Sequence, residues 1–342
     1  MAPAPAAAWL HQAHHHRLPG SPPRKAGAGP RAGGRGDAAA AVVLSVASSV
    51  SIVVCNKYLM SVLGFRHATT LTAAHGFCTA FALRLARALG WLERRDLARA
   101  DVLAFGVMHG LSIASLNLSL ALNSVGFYQM GKLGIIPLTV LIEKVAHRKV
   151  FSPGVVGSLG VLLGGIGYAT VHDVQVNAAG CAVALVSAVV TALQQVRTGE
   201  IQKRLDVSSS QLLLHSSPTM GCFLLVTGPF IDYGVTGTSL LAFPYTRQVV
   251  GCIALSCLIA IGVNMGTFAV IGKLDAVTYQ VIGHFKTIII LFFGFYFLGN
   301  KSTPRNVLGI AVAMVGVVGY SYEKHKLSRR PKEKGDGALH RV

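Results

Sequence analysis

Two lysines lie inside apolar stretches, and their neighbours predict a binding site for an anion. Lys132 follows Tyr128 by four residues in "FYQMGKLGIIP", and Lys286 follows Tyr279 by seven residues in "TYQVIGHFKT". Ten apolar residues, "IIILFFGFYF", follow the second motif directly. A charged side chain near the centre of a bilayer costs at least about 2.5 kcal/mol, so it usually has a function.

The other polar residues of these motifs share helix faces with the lysines. Tyr128 and Lys132 are one turn apart on the first helix, and Gln129 lies beside them. On the second helix, Gly283 joins the Tyr279–Lys286 face, and the adjacent stripe holds Gln280, His284 and Thr287. Cations, phenols and amides with almost no carboxylate nearby favour an anionic ligand.

Two further charged residues belong to spans, with different expected roles. Lys57, in "CNKYLM", lies near a span end, where a lysine either extends its ammonium to the surface or contacts the ligand; both readings stay open. Glu143 lies near the other end of its span, and we interpret it as a helix cap or gate. A proton relay through intramembrane carboxylates is not evident, so exchange of two anions is the simpler energetic scheme.

The elements that position these residues are membrane helices. The 342 residues are 52% hydrophobic and 13% charged, whereas soluble domains carry about 25% charged residues. Apolar windows of about 20 residues suffice to span a bilayer. The sequence predicts an all-α membrane protein with ten such spans, near 39–60, 68–89, 102–122, 125–145, 154–171, 178–197, 209–231, 246–271, 276–298 and 304–322.

The net charge of +18 is unevenly distributed and predicts the orientation. Most Lys and Arg residues fall in the segments that share a side with both termini, which the positive-inside rule places in the cytosol. Residues 1–38 and 325–342 are expected to be disordered basic cytosolic tails around a transporter domain at 39–324. Nucleic acid is therefore not needed to explain the charge, and lipid is the expected surrounding.

Matching motifs indicate an internal repeat. "GSLGVLLGGIGY" at 157–168 matches "GIAVAMVGVVGY" at 309–320, and the two Tyr-Gln pairs recur at nearly the same offset. Asn117 also has a counterpart in Asn264. Two five-helix halves, about 39–171 and 178–324, would enter the membrane in opposite orientations because five is odd. Inverted repeats are typical of alternating-access transporters with a central site.

The remaining features predict packing rather than chemistry. Glycines 157, 160, 164 and 167 on the fifth span, and Gly309, Ala313 and Gly316 on the tenth, predict close helix contacts. The six cysteines show no metal-ligand spacing and read as small packing residues. The His14–His16 run reads as incidental. We expect no metal, no cofactor and no catalytic residues.

These motifs resemble the nucleotide-sugar and triose-phosphate translocator family of the drug/metabolite transporter superfamily, over about 39–324. "GHFKT" is similar to the plant Golgi subgroup named for a Lys-Thr dipeptide, here Lys286-Thr287. "NSVGFYQMGKLGIIP" and "LQQVRTGEIQKRLDVSSSQLLLHSSP" look most like the UDP-rhamnose/UDP-galactose transporters, although "NSVGFYQ" also looks like the UDP-xylose transporters.

The resemblance implies an antiporter that carries a UDP-sugar into the Golgi lumen and returns UMP. It implies that Lys132 and Lys286 bind phosphate, assisted by Thr287, and that "FYQM" in place of a guanine-recognising motif disfavours GDP-sugars. The predicted substrate-binding residues are Lys132, Lys286, Thr287, Tyr128, Gln129, Tyr279, Gln280, His284 and Lys57.

Several alternatives stay open. One is a UDP-xylose or other UDP-sugar carrier. A second is a plastid-type carrier of phosphate or phosphate esters, since the basic N-terminal tail is poor in acidic residues, as transit peptides are. A third is a membrane scaffold that transports nothing. The spans lack the paired carboxylates or metal-binding motif of an intramembrane enzyme, and an enzyme is not expected. The oligomeric state is open between a monomer and a homodimer.

Overall fold

A computed structural model describes residues 35–123, 125–170, 178–297 and 304–329, and these form an all-α architecture. A short 3₁₀ turn, Leu240–Ala242, lies before the ninth helix. The helices are α1 (Arg35–Ser61), α2 (Ala68–Ala88), α3 (Arg99–Leu122), α4 (Val125–Leu133), α5 (Ile135–His147), α6 (Pro153–Thr170), α7 (Ala178–Leu205), α8 (Ser209–Thr236), α9 (Arg247–Lys273), α10 (Ala276–Phe297) and α11 (Pro304–Arg329).

Each predicted span coincides with helix, and the expected all-α membrane architecture is confirmed at that level. Within the described residues, five segments are long and apolar enough to cross a membrane: Gly36–Ser61, Arg99–Leu122, Ala178–Leu205, Arg247–Lys273 and Val307–Leu327. The crossing of all ten spans and their inverted arrangement stay predictions. The first and last helices extend into the expected tails, from Arg35 and to Arg329, and the rest of both tails lies outside the described residues.

The predicted fourth span is two helices, α4 and α5, that meet at Gly134. The N–H of Gly134 bonds to the carbonyl of Gly131 at 3.1 Å, which tightens the last turn of α4. Pro137, three residues further on, has no N–H to donate to the carbonyl of Leu133. A proline inside a helix breaks or kinks it for this reason. Lys132 therefore lies in the last turn of the short helix α4.

Local signals fix both ends of α8. Ser208 accepts a bond from the N–H of Gln211 at 3.2 Å, and the Gln211 side chain accepts one from the N–H of Ser208 at 2.8 Å. This reciprocal pair satisfies two N–H groups that a helix start leaves free. Gly237 follows the last turn with a φ of 66°, a left-handed conformation that glycine adopts without steric cost.

Helices α6 and α11 pack closely, but through a different face of α6 than the sequence predicted. A Cβ at Gly165 would lie 2.8 Å from the Cα of Ala313 and 2.8 Å from the carbonyl oxygen of Gly309. A Cβ at Gly316 would meet the backbone of Leu162 at 2.6 Å. The predicted packing of Gly309, Ala313 and Gly316 is thus confirmed.

The predicted packing stripe on α6 is wrong. A Cβ at Gly157, Gly160 or Gly164 would have no heavy atom within 4 Å, and one at Gly167 would meet only Leu133, at 3.9 Å. Glycines on one face permit a close neighbour but do not specify one. The contact runs instead through the adjacent face that holds Leu162 and Gly165.

Leucine at position 165 is expected to destabilise the protein, whereas leucine at position 160 is not. Overpacking of a tight contact typically costs about 1–3 kcal/mol, and here backbone atoms would have to separate. Gly160→Leu is the matched control, because its new side chain meets open space on the same helix. Thermal unfolding of the detergent-purified proteins measures the difference. Equal midpoints for the two variants would contradict the packing of Gly165.

The six cysteines are free thiols, and the packing interpretation applies to Cys55 and Cys257, which are buried, but not to Cys222, which is exposed. Cys55 of α1 and Cys252 of α9 lie with their Sγ atoms 3.7 Å apart, within van der Waals contact. Cys252 belongs to an apolar cluster around Leu59, Phe65 and Leu71. Among the described residues no group of His, Cys, Asp or Glu side chains is arranged to hold a metal.

Candidate anion-binding site

The two predicted Lys–Tyr pairs form contacts on their own helices. The Lys132 Nζ lies 5.5 Å from the centre of the Tyr128 ring on α4, and the Lys286 Nζ lies 5.4 Å from that of Tyr279 on α10. Both distances are within the range of cation–π attraction. The predicted placement of each tyrosine and lysine on one helix face is therefore confirmed.

Helices α4 and α10 bring these groups into one region. The charge of Lys132 acts electrostatically on both His284 and Lys286. Lys286 is only 6% exposed. Neither lysine takes part in an ion pair with any carboxylate in the described part of the chain. Two ammonium groups so placed repel each other, and an anion between them would offset that repulsion.

His284 adds an unused polar atom to this region. Its side chain is 6% exposed, and its Nε2 has no hydrogen-bond partner among the described residues. A buried polar atom normally has a partner in the protein or in ordered water. A ligand oxygen between His284 and the two lysines would supply one.

Two other predicted residues of α10, Tyr279 and Gln280, have protein partners. Gln280 donates from Nε2 to the Oε1 of Gln195 on α7 at 2.7 Å, and the Tyr279 hydroxyl lies 3.4 Å from that of Thr267 on α9. These bonds fix the orientation of α10 relative to α7 and α9. Substrate binding by Gln280 and Tyr279 stays a prediction.

One predicted residue, Lys57, lies apart from this group in the structure, and the side chains of two others are not described. Lys57 is exposed near the end of α1, and Ser49, eight residues earlier, is the nearest α1 residue that contacts Lys286. Eight residues correspond to about 12 Å along a helix. The side chains of Gln129 and Thr287 lie outside the described residues, so their predicted roles are untested.

The serines that contact Lys286 were not among the residues predicted from the sequence. The Lys286 Nζ donates to the Ser45 Oγ at 2.8 Å and to the Ser49 Oγ at 3.0 Å. Both serines belong to α1, and their spacing of one turn places them on one face. Two hydroxyl residues one turn apart within an apolar span were the available signal.

Asp232, at the end of α8, was also missed. Its carboxylate accepts bonds from the N–H groups of Thr69 and Thr70 at 3.0 and 2.8 Å, and from the Thr70 hydroxyl at 2.7 Å. His67, the residue before α2, makes no capping bond of its own. Asp232 therefore caps the start of α2 from another helix, where a negative charge is favourable.

Asn117 and Asn264 both anchor α2. Asn117 donates to the Thr69 hydroxyl at 3.2 Å, and Asn264 donates to the Thr79 hydroxyl at 2.9 Å. Two neighbouring helices, α3 and α9, are thereby hydrogen-bonded to α2. The two asparagines have a structural role in common, while their relation by an internal repeat stays a prediction.

A second charged cluster lies where the α9–α10 turn meets α11. Asp275 pairs with Lys324, whose Nζ also lies 3.3 Å from the Tyr320 hydroxyl. Glu143 forms an ion pair with Lys149 at 2.7 Å near the end of α5, and its interpretation as a helix cap or gate stays a prediction. Burial acts to raise the pKa of Asp275, but Lys324, Lys149 and the N–H of Thr278 outweigh it and lower the pKa to about 2.

Loss of the Asp275 charge is expected to destabilise the protein at neutral pH but not at low pH. The lowered pKa means that the ionised carboxylate contributes stability above about pH 4, which is lost as the pH falls towards 2. The shift of the pKa from its ordinary value of 3.8 to about 2 corresponds to roughly 2 kcal/mol in the free energy of unfolding. Unfolding midpoints of wild type and Asp275→Asn from pH 7 to pH 3 measure it. A difference that stays constant with pH would exclude this ion pair as its origin.

The fold and the site together define a polytopic membrane protein with a buried cationic centre. The chain belongs to the Triose-phosphate Transporter family, whose model matches residues 39–321. This confirms the family suggested by the sequence motifs, and the chain is a transporter-family protein rather than an enzyme.

Curated relatives refine the comparison. UDP-xylose transporter 2 of Arabidopsis thaliana is 51% identical, over 82% of this chain and 80% of that protein. UDP-xylose transporter 1 is 49% identical over 82% of each chain. UDP-rhamnose/UDP-galactose transporter 1 of the same plant is 38% identical, over 82% of this chain and 81% of the relative. A solved crystal structure shares the fold, with a TM-score of 0.53 and 17% identity over 87% of this chain and 98% of the other.

Proposed function

We propose that this protein is a nucleotide-sugar antiporter that brings a UDP-sugar into the Golgi lumen in exchange for UMP. The observation that carries the proposal is that Lys132 of α4 and Lys286 of α10 lie within electrostatic range of each other, while neither forms an ion pair with a carboxylate among the described residues. Membership of the transporter family supports the class of activity. The relatives are named for UDP-sugars, which supports the nucleotide.

Charge balance explains how two different ligands can use one site. A UDP-sugar carries about −2, and UMP carries nearly −2 at neutral pH because its second phosphate pKa is about 6. Two ammonium groups neutralise either ligand. The empty site keeps two repelling cations in a buried region, so the loaded carrier changes conformation more readily than the empty one.

Alternating access by two inverted halves, about 39–171 and 178–324, belongs to the same proposal. The Lys–Tyr contact on α4 and the Lys–Tyr contact on α10 support it, since each half contributes one. Both termini would then lie in the cytosol.

UDP-xylose is the first candidate for the sugar, which revises the order expected from the motifs. The identities to the UDP-xylose transporters, 51% and 49%, exceed the 38% to a UDP-rhamnose/UDP-galactose transporter. UDP-galactose and UDP-rhamnose are the second candidates, supported by the latter match.

Exchange in liposomes tests the proposal. Full-length protein is reconstituted, the vesicles are preloaded with UMP, GMP or inorganic phosphate, and UDP-xylose, UDP-galactose and UDP-rhamnose are offered outside. We expect uptake that requires internal UMP and is fastest with UDP-xylose. Faster uptake of UDP-galactose would change the sugar but keep the class. Uptake driven by phosphate with UMP inert would favour a phosphate-ester carrier, and no uptake under any condition would favour a non-transporting scaffold.

A further inference from the structure

Lys286 is held by neutral hydroxyl groups rather than by a counter-ion. Ser45 and Ser49 accept its hydrogen bonds at 2.8 and 3.0 Å, and Ser45 is fully buried. An ammonium group can donate three hydrogen bonds, and these hydroxyls receive two. They satisfy hydrogen bonds but contribute no charge.

The serines belong to a helix that is tied closely to α9. A Cβ at Gly266 would lie 2.8 Å from the Cα of Ser45, so the backbones of α1 and α9 are in contact there. Further along, Ser256 of α9 donates to the Asn56 side chain of α1 at 2.6 Å. Helices α1 and α9 therefore form one packed unit, and Lys286 hydrogen-bonds α10 to it.

We propose that Ser45 and Ser49, here termed the serine latch, hold α10 against α1 while the site is empty and release Lys286 when an anion binds. A phosphate oxygen is a stronger acceptor for an ammonium group than a hydroxyl, because both partners are charged. The ligand therefore competes with the latch for the same donor. This inference rests on the proposed anion exchange and concerns its coupling: the latch keeps the empty carrier from changing conformation.

Removal of the serine latch is expected to uncouple the efflux of UMP from the uptake of UDP-sugar. Wild type should release preloaded UMP only when UDP-sugar is present outside. In the double variant Ser45→Ala, Ser49→Ala the empty form loses two bonds, so UMP efflux into substrate-free buffer should rise about tenfold, which corresponds to about 1.4 kcal/mol. The half-saturating concentration of external UDP-sugar should fall, since the ligand no longer competes with hydroxyls.

Two further variants separate the latch from a general effect on α1. Ser48→Ala is the matched control, because the Ser48 hydroxyl donates to the Leu44 carbonyl of its own helix at 2.5 Å and does not contact Lys286. Ser49→Thr keeps a hydroxyl group, so the variant Ser45→Ala, Ser49→Thr should retain part of the coupling that the double alanine variant loses. Unfolding midpoints and elution volumes of all variants show whether each is folded.

The outcomes are distinct. Exchange by wild type, with UMP efflux from the folded double variant still fully dependent on external substrate, would overturn the latch alone. An equal rise in efflux for Ser48→Ala would also overturn it. Absence of exchange by wild type with every nucleotide offered would overturn the proposed function, and the latch with it.

Discussion

Methionine in place of Lys286 is expected to abolish exchange, with a fall of at least about 100-fold in the transport rate. Methionine keeps the length and apolar volume of lysine but removes the charge and its donors. Removal of one partner from a buried ion pair typically costs about 3–5 kcal/mol, and each 1.4 kcal/mol is a tenfold change. Initial rates of UDP-sugar uptake into UMP-loaded liposomes measure the loss.

A lysine outside the site provides the matched control. Lys273 is exposed at the end of α9 and donates only to the backbone carbonyl of Asp37 among the described residues. Lys273→Met should keep exchange close to the wild-type rate. Wild-type exchange by Lys286→Met would show that Lys286 does not bind the substrate and would make Lys132 the next lysine to replace.

Asparagine in place of Asp232 is expected to destabilise the fold by about 2–4 kcal/mol. The carboxylate accepts two backbone N–H groups and one hydroxyl, and it is 3% exposed. An amide keeps one acceptor oxygen and turns an NH₂ group towards donors, so at least one buried N–H loses its bond, at about 1–3 kcal/mol. The favourable charge at the start of α2 is lost as well. The unfolding midpoint and the yield of folded protein measure the effect.

Asp96 offers the control for Asp232. Its side chain is 82% exposed and pairs only with Arg94 among the described residues, so Asp96→Asn should leave the midpoint unchanged. Thr70→Val removes the hydroxyl bond but keeps the backbone bonds, and should cost about 1 kcal/mol. A midpoint for Asp232→Asn equal to that of wild type would show that the start of α2 does not depend on this carboxylate.

Features carried by a single helix could be predicted from the sequence. The helices follow from apolar segments of sufficient length, and the Lys132–Tyr128 and Lys286–Tyr279 contacts follow from helical spacing alone. Both depend on residues within one or two turns of each other. The family motifs are local for the same reason, and they identified the class of protein.

The partners of side chains that bond to another helix could not be predicted. The Lys286–Ser45 bond joins residues 241 apart, and the bonds from Thr70 to Asp232 join residues 162 apart. Serine and threonine are common in membrane helices, so their presence does not reveal which helix they face. The sequence predicted the wrong packing face of α6. Glycines permit a close contact, but the position of α11 determines which face of α6 makes it.

Because the fourth span divides at Gly134, Lys132 and Lys286 belong to helices that are held in place to different degrees. Lys132 belongs to the nine-residue helix α4, whose connection to α5 lacks the hydrogen bond that Pro137 cannot donate. Lys286 belongs to the continuous helix α10, which is fixed by the Gln280–Gln195 bond two turns earlier. The separation of the two charges can therefore change by rotation of the short helix α4 alone. On the other side, the whole of α10 would have to tilt. The two faces of the membrane would then be opened by different motions, even in a protein built from two similar halves.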